Sequence, residues 1–170
     1  MSPESVHTTV LSTEATSNAE LAALVLRQFR VVFAEVRHHF QQVEKIAGIG
    51  GAQVWVLSLI QRTPGIGIRE LTKTMDVHQS TASNLVKHLV TRGLLRSERS
   101  SVDRRAVHLF VTAEGERLLS LAPLPHEGVL PRALRKLPHR DLQQLQESLN
   151  ALQGVLKVSD HAATTPLANL

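Results

Sequence analysis

Between Ile68 and Thr112 the hydrophobic period of the chain changes from that of helices to that of strands, and few folds accept the order in which it does so. Ile68, Leu71 and Met75 recur at helical steps from about Gly67, and Asp76 and Val77 make a tight join. A second amphipathic run extends from about Gln79 to Arg92 and stops at Gly93, a residue that ends helices because it accepts positive φ without steric cost. Two β-type runs follow, Leu94 to Arg99 and Val107 to Thr112, around the loop Ser100-Ser101-Val102-Asp103-Arg104-Arg105. In the second run Val107, Leu109 and Val111 alternate with His108 and Phe110. Two short helices, a tight join and a basic-tipped hairpin predict a winged helix-turn-helix.

The flanking sequence supplies helices. Leu, Val and Ala dominate the apolar set, and only 3% of the 170 residues are aromatic, which favours a mainly α fold over a sandwich or barrel. Residues 1–17 are Ser/Thr/Glu-rich without an apolar period and are expected to form a disordered tail. A helix is predicted from about Asn18 to Ile46, with Leu21, Val25, Phe29, Val32, Val36, Phe40 and Val43 along one stripe. Val54, Trp55, Leu57, Leu59 and Ile60 mark a helix apolar on most sides, hence buried. Thr63-Pro64-Gly65 is a turn, after which Ile66 is placed to pair briefly with a later strand. Thr112 is a candidate N-cap for a helix through Leu118, Leu119 and Ala122. Pro123, Pro125 and Pro131 then interrupt the path and predict a kinked fifth helix. A last helix opens at Pro138 as its first residue, and Leu142, Leu145, Leu149, Leu152 and Leu156 step along it as a narrow heptad seam. Residues 159–170 read as a loose tail.

The charge is concentrated where the folds narrow. The whole chain carries a net +4, yet Arg62 to Arg105 alone holds nine Lys/Arg against four Asp/Glu. Such a local excess points to a polyanion. In the helix from Gln79, Ala82, Leu85, Val86, Leu89 and Val90 form the packing side. Ser80, Ser83, Asn84, Lys87, His88 and Thr91 form a face without a single carboxylate. That is the requirement for a helix entering the major groove of double-stranded DNA. Asn84 suits a bidentate contact to adenine, and Lys87 a guanine or a phosphate. Ser80, Thr81 and Ser83 suit phosphates near the helix start. Arg99, Arg104 and Arg105 suit a minor groove, and Asp103 among them is assigned to shaping the turn.

These residues also carry a resemblance. The run Asp103-Arg104-Arg105-Ala106-Val107-His108-Leu109-Phe110-Val111-Thr112, followed by Ala113-Glu114-Gly115, resembles the wing signature of the MarR family of winged helix-turn-helix regulators. Gln79 to Val86 and Leu89 to Leu95 are similar to its recognition helix and exit, and the element order matches from about residue 18 to 158. The resemblance implies a cytoplasmic transcriptional regulator, most often a repressor, rather than an enzyme. It implies a homodimer made by the first and last helices, so residues 18–50 and 113–158 would dimerise through Leu21, Val25, Leu142, Leu145, Leu149 and Leu152. Residues 51–112 would form the DNA-binding domain, with Arg105 the wing arginine, Asp103 the wing aspartate, and Ser83, Asn84 and His88 on DNA. It also implies a small-molecule effector between the dimer helices and the winged domain, for which His38, His39, Gln53 and Trp55 are candidates. His78 and Asn84 depart from the family pattern, which has Ser or Thr and Arg there.

Other chemistries find little support. Without Cys there is no disulfide, thiolate metal site or thiol redox switch. The nine histidines include His126 and His139 near the breaks but fall into no metal-binding spacing, so no metal or other cofactor is expected. There is no nucleophile elbow or phosphate loop, and Gly48-Ile49-Gly50-Gly51 follows a helix rather than a strand. No apolar run reaches membrane-spanning length, and residues 1–17 do not read as a signal peptide. A winged helix that binds only protein, and a metal-responsive regulator, remain as alternatives.

Overall fold

The computed structural model describes residues 4–99, 107–157 and 163–169. The elements run α1 (Glu4–Ala47), α2 (Gly51–Arg62), α3 (Ile68–Met75), α4 (Gln79–Thr91), β1 (Leu95–Arg99), β2 (Val107–Val111), α5 (Ala113–Leu121), α6 (Val129–Leu134) and α7 (His139–Leu156), with a 3-10 turn at Leu167–Asn169. The architecture is mainly α with one antiparallel hairpin, as predicted. Among the described residues no single helix is long and apolar enough to cross a membrane. The chain divides into two compact units, Met1–Arg37 and His38–Leu170.

The first unit is helical. α1 begins at Glu4, well before Asn18, so residues 4–17 are helix rather than the expected tail. No Gly or Pro occurs between Glu4 and Ala47, and nothing in the backbone chemistry stops the helix there. Phe29 and Phe33 stack one turn apart, with centroids at 6.0 Å. Leu21, Val25, Val32 and Phe33 are exposed in the single chain.

The second unit holds the core. α2 is buried through Val54, Val56, Leu57 and Ile60, which explains its apolar character on nearly every side. Val43, Leu71, Met75, Ala82, Leu89, Leu95, Leu109, Leu118 and Leu119 complete the cluster. β1 and β2 pair in the register Leu95↔Val111 to Arg99↔Val107. Ile66 extends this hairpin as expected: its carbonyl accepts from Leu109 N at 3.2 Å, and Gly65 N donates to Leu109 O at 2.8 Å.

Beyond β2 the sequence expectations hold in part. Thr112 caps α5, its hydroxyl accepting from Gly115 N at 3.2 Å. The proline path does not kink a fifth helix; it ends α5 at Leu121 and starts a separate α6. Ala122, immediately before Pro123, is extended (φ −67°, ψ 133°), because the proline ring crowds a helical conformation at the residue preceding it. Pro138 is the N-cap of α7, one position earlier than predicted. Leu142, Leu145, Leu149 and Leu152 form an exposed seam on α7. The C-terminal end is not loose: Pro166 is buried, and Ala168 packs beside Gly51. Pro166 and Ala168 reach a surface more than a hundred positions away in sequence, which no local pattern reveals.

Candidate nucleic-acid interface

The join between α3 and α4 is made by Asp76, whose left-handed backbone (φ 52°, ψ 49°) ends α3, and by Val77, which is buried. Aspartate adopts this conformation more readily than most residues. α4 then lies on the core through Ala82, Val86 and Leu89, with Leu85 half-buried. Val90, expected on the packing side, is instead 37% exposed and faces a groove toward the hairpin. His78 stands at the N-cap with extended backbone (φ −64°, ψ 147°).

The opposite face of α4 is open. Ser80, Asn84, Lys87, His88 and Thr91 are exposed, and Thr81 and Ser83 are half-buried. Thr91 turns its hydroxyl back to Lys87 O at 2.9 Å, so it is bonded within the helix. Grooves flank this face. One, of about 420 Å³, is lined by Gly50, Gln53, Thr81, Asn84 and His88. The other, of about 290 Å³, lies between Ser83, Lys87 and Thr91 on α4 and Ser97 and Val107 on the hairpin. Asn84 and Lys87 therefore project from a ridge with space on either side.

The hairpin stands beside that ridge. Arg96 packs over Phe110, its directly paired residue, 4.4 Å from the ring centroid, and is ion-paired with Glu98. A cation held on an aromatic face is worth about 0.5–1 kcal/mol at an exposed site. His108 Nδ1 donates to Gly65 O at 2.8 Å and anchors the base of β2. Arg99 is exposed at the end of β1. Asp103, Arg104 and Arg105, assigned above to the wing tip, lie outside the described residues.

The proposed effector residues do not converge. Gln53 Oε1 accepts from Gly50 N at 3.2 Å, capping α2, and lies by Asn84. Trp55 lines a different cleft with Phe40, Met75 and Val77. His39 is buried and its Nε2 donates to Pro125 O at 3.1 Å, whereas His38 is exposed and bonded to Gln42; neither lines these two clefts. Among the described residues no group of three His, Asp or Glu side chains is arranged to hold a metal ion.

Residues 47–106, which run from the end of α1 through the helix-turn-helix to the wing, match the MarR family model. Over that segment the chain resembles the MarR family. It is 20% identical over 151 residues to the HTH-type transcriptional repressor MdtR of Bacillus subtilis, covering 89% of this chain and 94% of that protein. It is 28% identical over 95 residues to the transcriptional regulator HosA of Escherichia coli O157:H7, covering 53% and 70%. The fold is that of Sco3205, a MarR family transcriptional regulator from Streptomyces coelicolor solved in complex with DNA (TM-score 0.57, 21% identity, 84% of this chain and 91% of that one). All three are described as transcriptional regulators or repressors.

Three residues have supporting roles that the sequence did not assign to them. Arg92 Nη1 donates to Gly48 O at 2.8 Å, tying the exit of α4 to the end of α1. Arg96 braces the hairpin through Phe110. Gly115 lets α5 approach β1: a Cβ there would fall inside van der Waals contact of Leu94 O and 2.7 Å from Val111 Cγ1. Only the last left a sequence trace, a glycine in the first turn of a helix.

Proposed function

We propose that this chain is a MarR-family, sequence-specific, double-stranded DNA-binding repressor that acts as a cytoplasmic homodimer and releases its operator when a small effector binds. The observation that carries the reading is the acid-free, exposed face of α4, set between two grooves and beside a hairpin. Asn84 and Lys87 read base edges, with Ser80, Thr81, Ser83 and His88 on flanking phosphates and bases. Arg99, Arg104 and Arg105 follow the adjacent minor groove, with Asp103 shaping the tip. Supporting the dimer are the exposed leucines of α1 and α7, Leu21 and Val25 with Leu142, Leu145, Leu149 and Leu152, on a chain with ample buried core elsewhere. Two recognition helices related by a twofold axis require half-sites about one helical turn, ~10 bp, apart. Repression is favoured by the description of MdtR as a repressor.

Selection of bound sequences from random duplex DNA tests this reading. A pseudo-palindrome is expected. On that site Asn84→Ala should cost about 1–3 kcal/mol and relax preference at one base position, and Arg105→Ala should weaken binding to all sequences. Recovery of unrelated sequences, bound only at low salt, would refute specific recognition and leave a non-specific electrostatic contact.

A further inference from the structure

The cleft that holds Trp55 is the one concave site in the described residues closed by the far end of the chain. Its floor is Phe40, Trp55, Met75 and Val77; its rim is Asp76 and Glu127; Pro166 and Leu167 close it. The sequence is shaped to admit both ring and tail at the start of α2. A Cβ on Gly51 would lie 2.7 Å from Phe40 Cε1 and 3.2 Å from Ala168 Cβ, so the bare backbone leaves the room that they occupy. The remaining volume is about 170 Å³. A dry protein cavity of about 150 Å³ accepts a benzene molecule, so this one has space for a single ring.

Charge narrows the ligand further. Among the described residues, two carboxylates and no Lys, Arg or His line the cleft. Glu127 is ion-paired with Arg135, whereas the Asp76 carboxylate has no ion-pair partner among the described residues. Aromatic rings beside a carboxylate favour a cation and disfavour an anion. We infer that this cleft is a binding site for a compact, single-ring amine, and that residues 163–168 are its roof. The inference deepens the effector reading and rests on it for any consequence at DNA, but binding itself does not. Because Asp76 is also the αL residue joining α3 to α4, an ammonium group at its carboxylate would sit at the turn that aims the recognition helix.

The test uses Trp55, the sole tryptophan in a chain without tyrosine, as the reporter. Benzylamine and benzoate are titrated against the full chain without DNA, following emission and acrylamide quenching. Benzylamine is expected to change the emission saturably and benzoate to leave it unchanged. Ending the chain after Lys157 should red-shift Trp55, raise its quenching and abolish the benzylamine response; a thermal melt confirms that the shortened chain is folded. Asp76→Asn, which keeps a residue tolerant of positive φ, should weaken benzylamine about two- to fivefold, the worth of one exposed ion pair. Equal responses to benzoate and benzylamine, or none to either, would overturn the ligand class. Unchanged emission and binding after removal of residues 158–170 would overturn the roof. A benzylamine response with undiminished operator affinity would refute the effector reading alone.

Discussion

Replacing Gly115 by Ala isolates the contact that sets the hairpin against the rest of the domain. A Cβ at this position would lie 2.7 Å from Val111 Cγ1 and still closer to Leu94 O. Carbon atoms rest about 3.5–4.0 Å apart, so α5 must retreat from the hairpin by about 1 Å. The carbonyl cannot turn away, because Leu94 O accepts from Thr112 N at 3.1 Å. The retreat also stretches the Thr112 hydroxyl bonds to Gly93 O, 2.7 Å, and Gly115 N, 3.2 Å. Overpacking costs about 1–3 kcal/mol, and one or two weakened hydrogen bonds add about 1 kcal/mol each. Alanine returns about 0.5–1 kcal/mol through helix propensity, leaving a net loss of about 2–4 kcal/mol. Gly154→Ala is the matched control: it lies within α7, off the leucine seam, with nothing within 4 Å of an added Cβ. It should gain about 0.5–1 kcal/mol. Urea denaturation of both variants at one protomer concentration gives the comparison. If Gly115→Ala were as stable as the unmodified protein, the close approach of α5 to Leu94 would not be a feature of the folded chain, and the packing argument would fail.

Thr112→Val should cost about 1–2 kcal/mol by urea denaturation, since it removes both hydroxyl bonds while keeping the branched shape, and Thr112→Ser should recover most of it. Burial holds the pKa of His126 below 6.5, with repulsion from Arg62 and His39 added and a backbone hydrogen bond at Ala122 opposing. The unfolded chain therefore binds the proton first as pH falls through 6.5, so stability present above that pH declines toward the lower folded value. Thermal melts at pH 7.5 and 5.5 should show His126→Gln losing less on acidification than the parent; equal losses would assign the pH dependence elsewhere. Leu149→Lys, on the exposed α7 seam, should leave helix content unchanged by circular dichroism and shift sedimentation from dimer to monomer, and a dimer that persists would place the interface away from that seam.

The middle of the chain was readable because its elements obey local rules. Gly93 takes φ 70° just past the end of α4, Thr112 caps α5, and Leu109 is fully buried within the alternation of β2. What escaped depends on partners distant in sequence. Nothing in the composition of residues 163–168 announces that Phe40 and Gly51 await them, and His39 gives no local sign that Pro125 O accepts its proton. Val90 fits the helical period of the core but falls at its edge, where α4 faces the hairpin and none of the described residues covers it fully. On the candidate site, α4 was placed by its two faces, whereas Arg92 and Arg96 were counted only as charge although both are engaged in structure.

Arg92 belongs to a knot at the exit of α4. Leu94 N donates to Leu89 O, Thr112 N to Leu94 O, and the Thr112 hydroxyl to Gly93 O. Through four residues, therefore, the end of α4, the start of β1 and the cap of α5 share one hydrogen-bond network, and Arg92 extends it to Gly48 at the end of α1. A helix free to pivot at its exit would lose register with the wing; here pivoting breaks several bonds together. Helix and hairpin are thus tied together at this end, and the join at the other end of α4 is closed by Asp76 N donating to Thr72 O and to Lys73 O at 3.4 Å and by Val77 N donating to Thr72 O at 3.3 Å. Hydrogen bonds at that length are weaker than those at the exit. The Trp55 cleft is lined by Met75, Asp76 and Val77, so it opens on this join rather than on the knot.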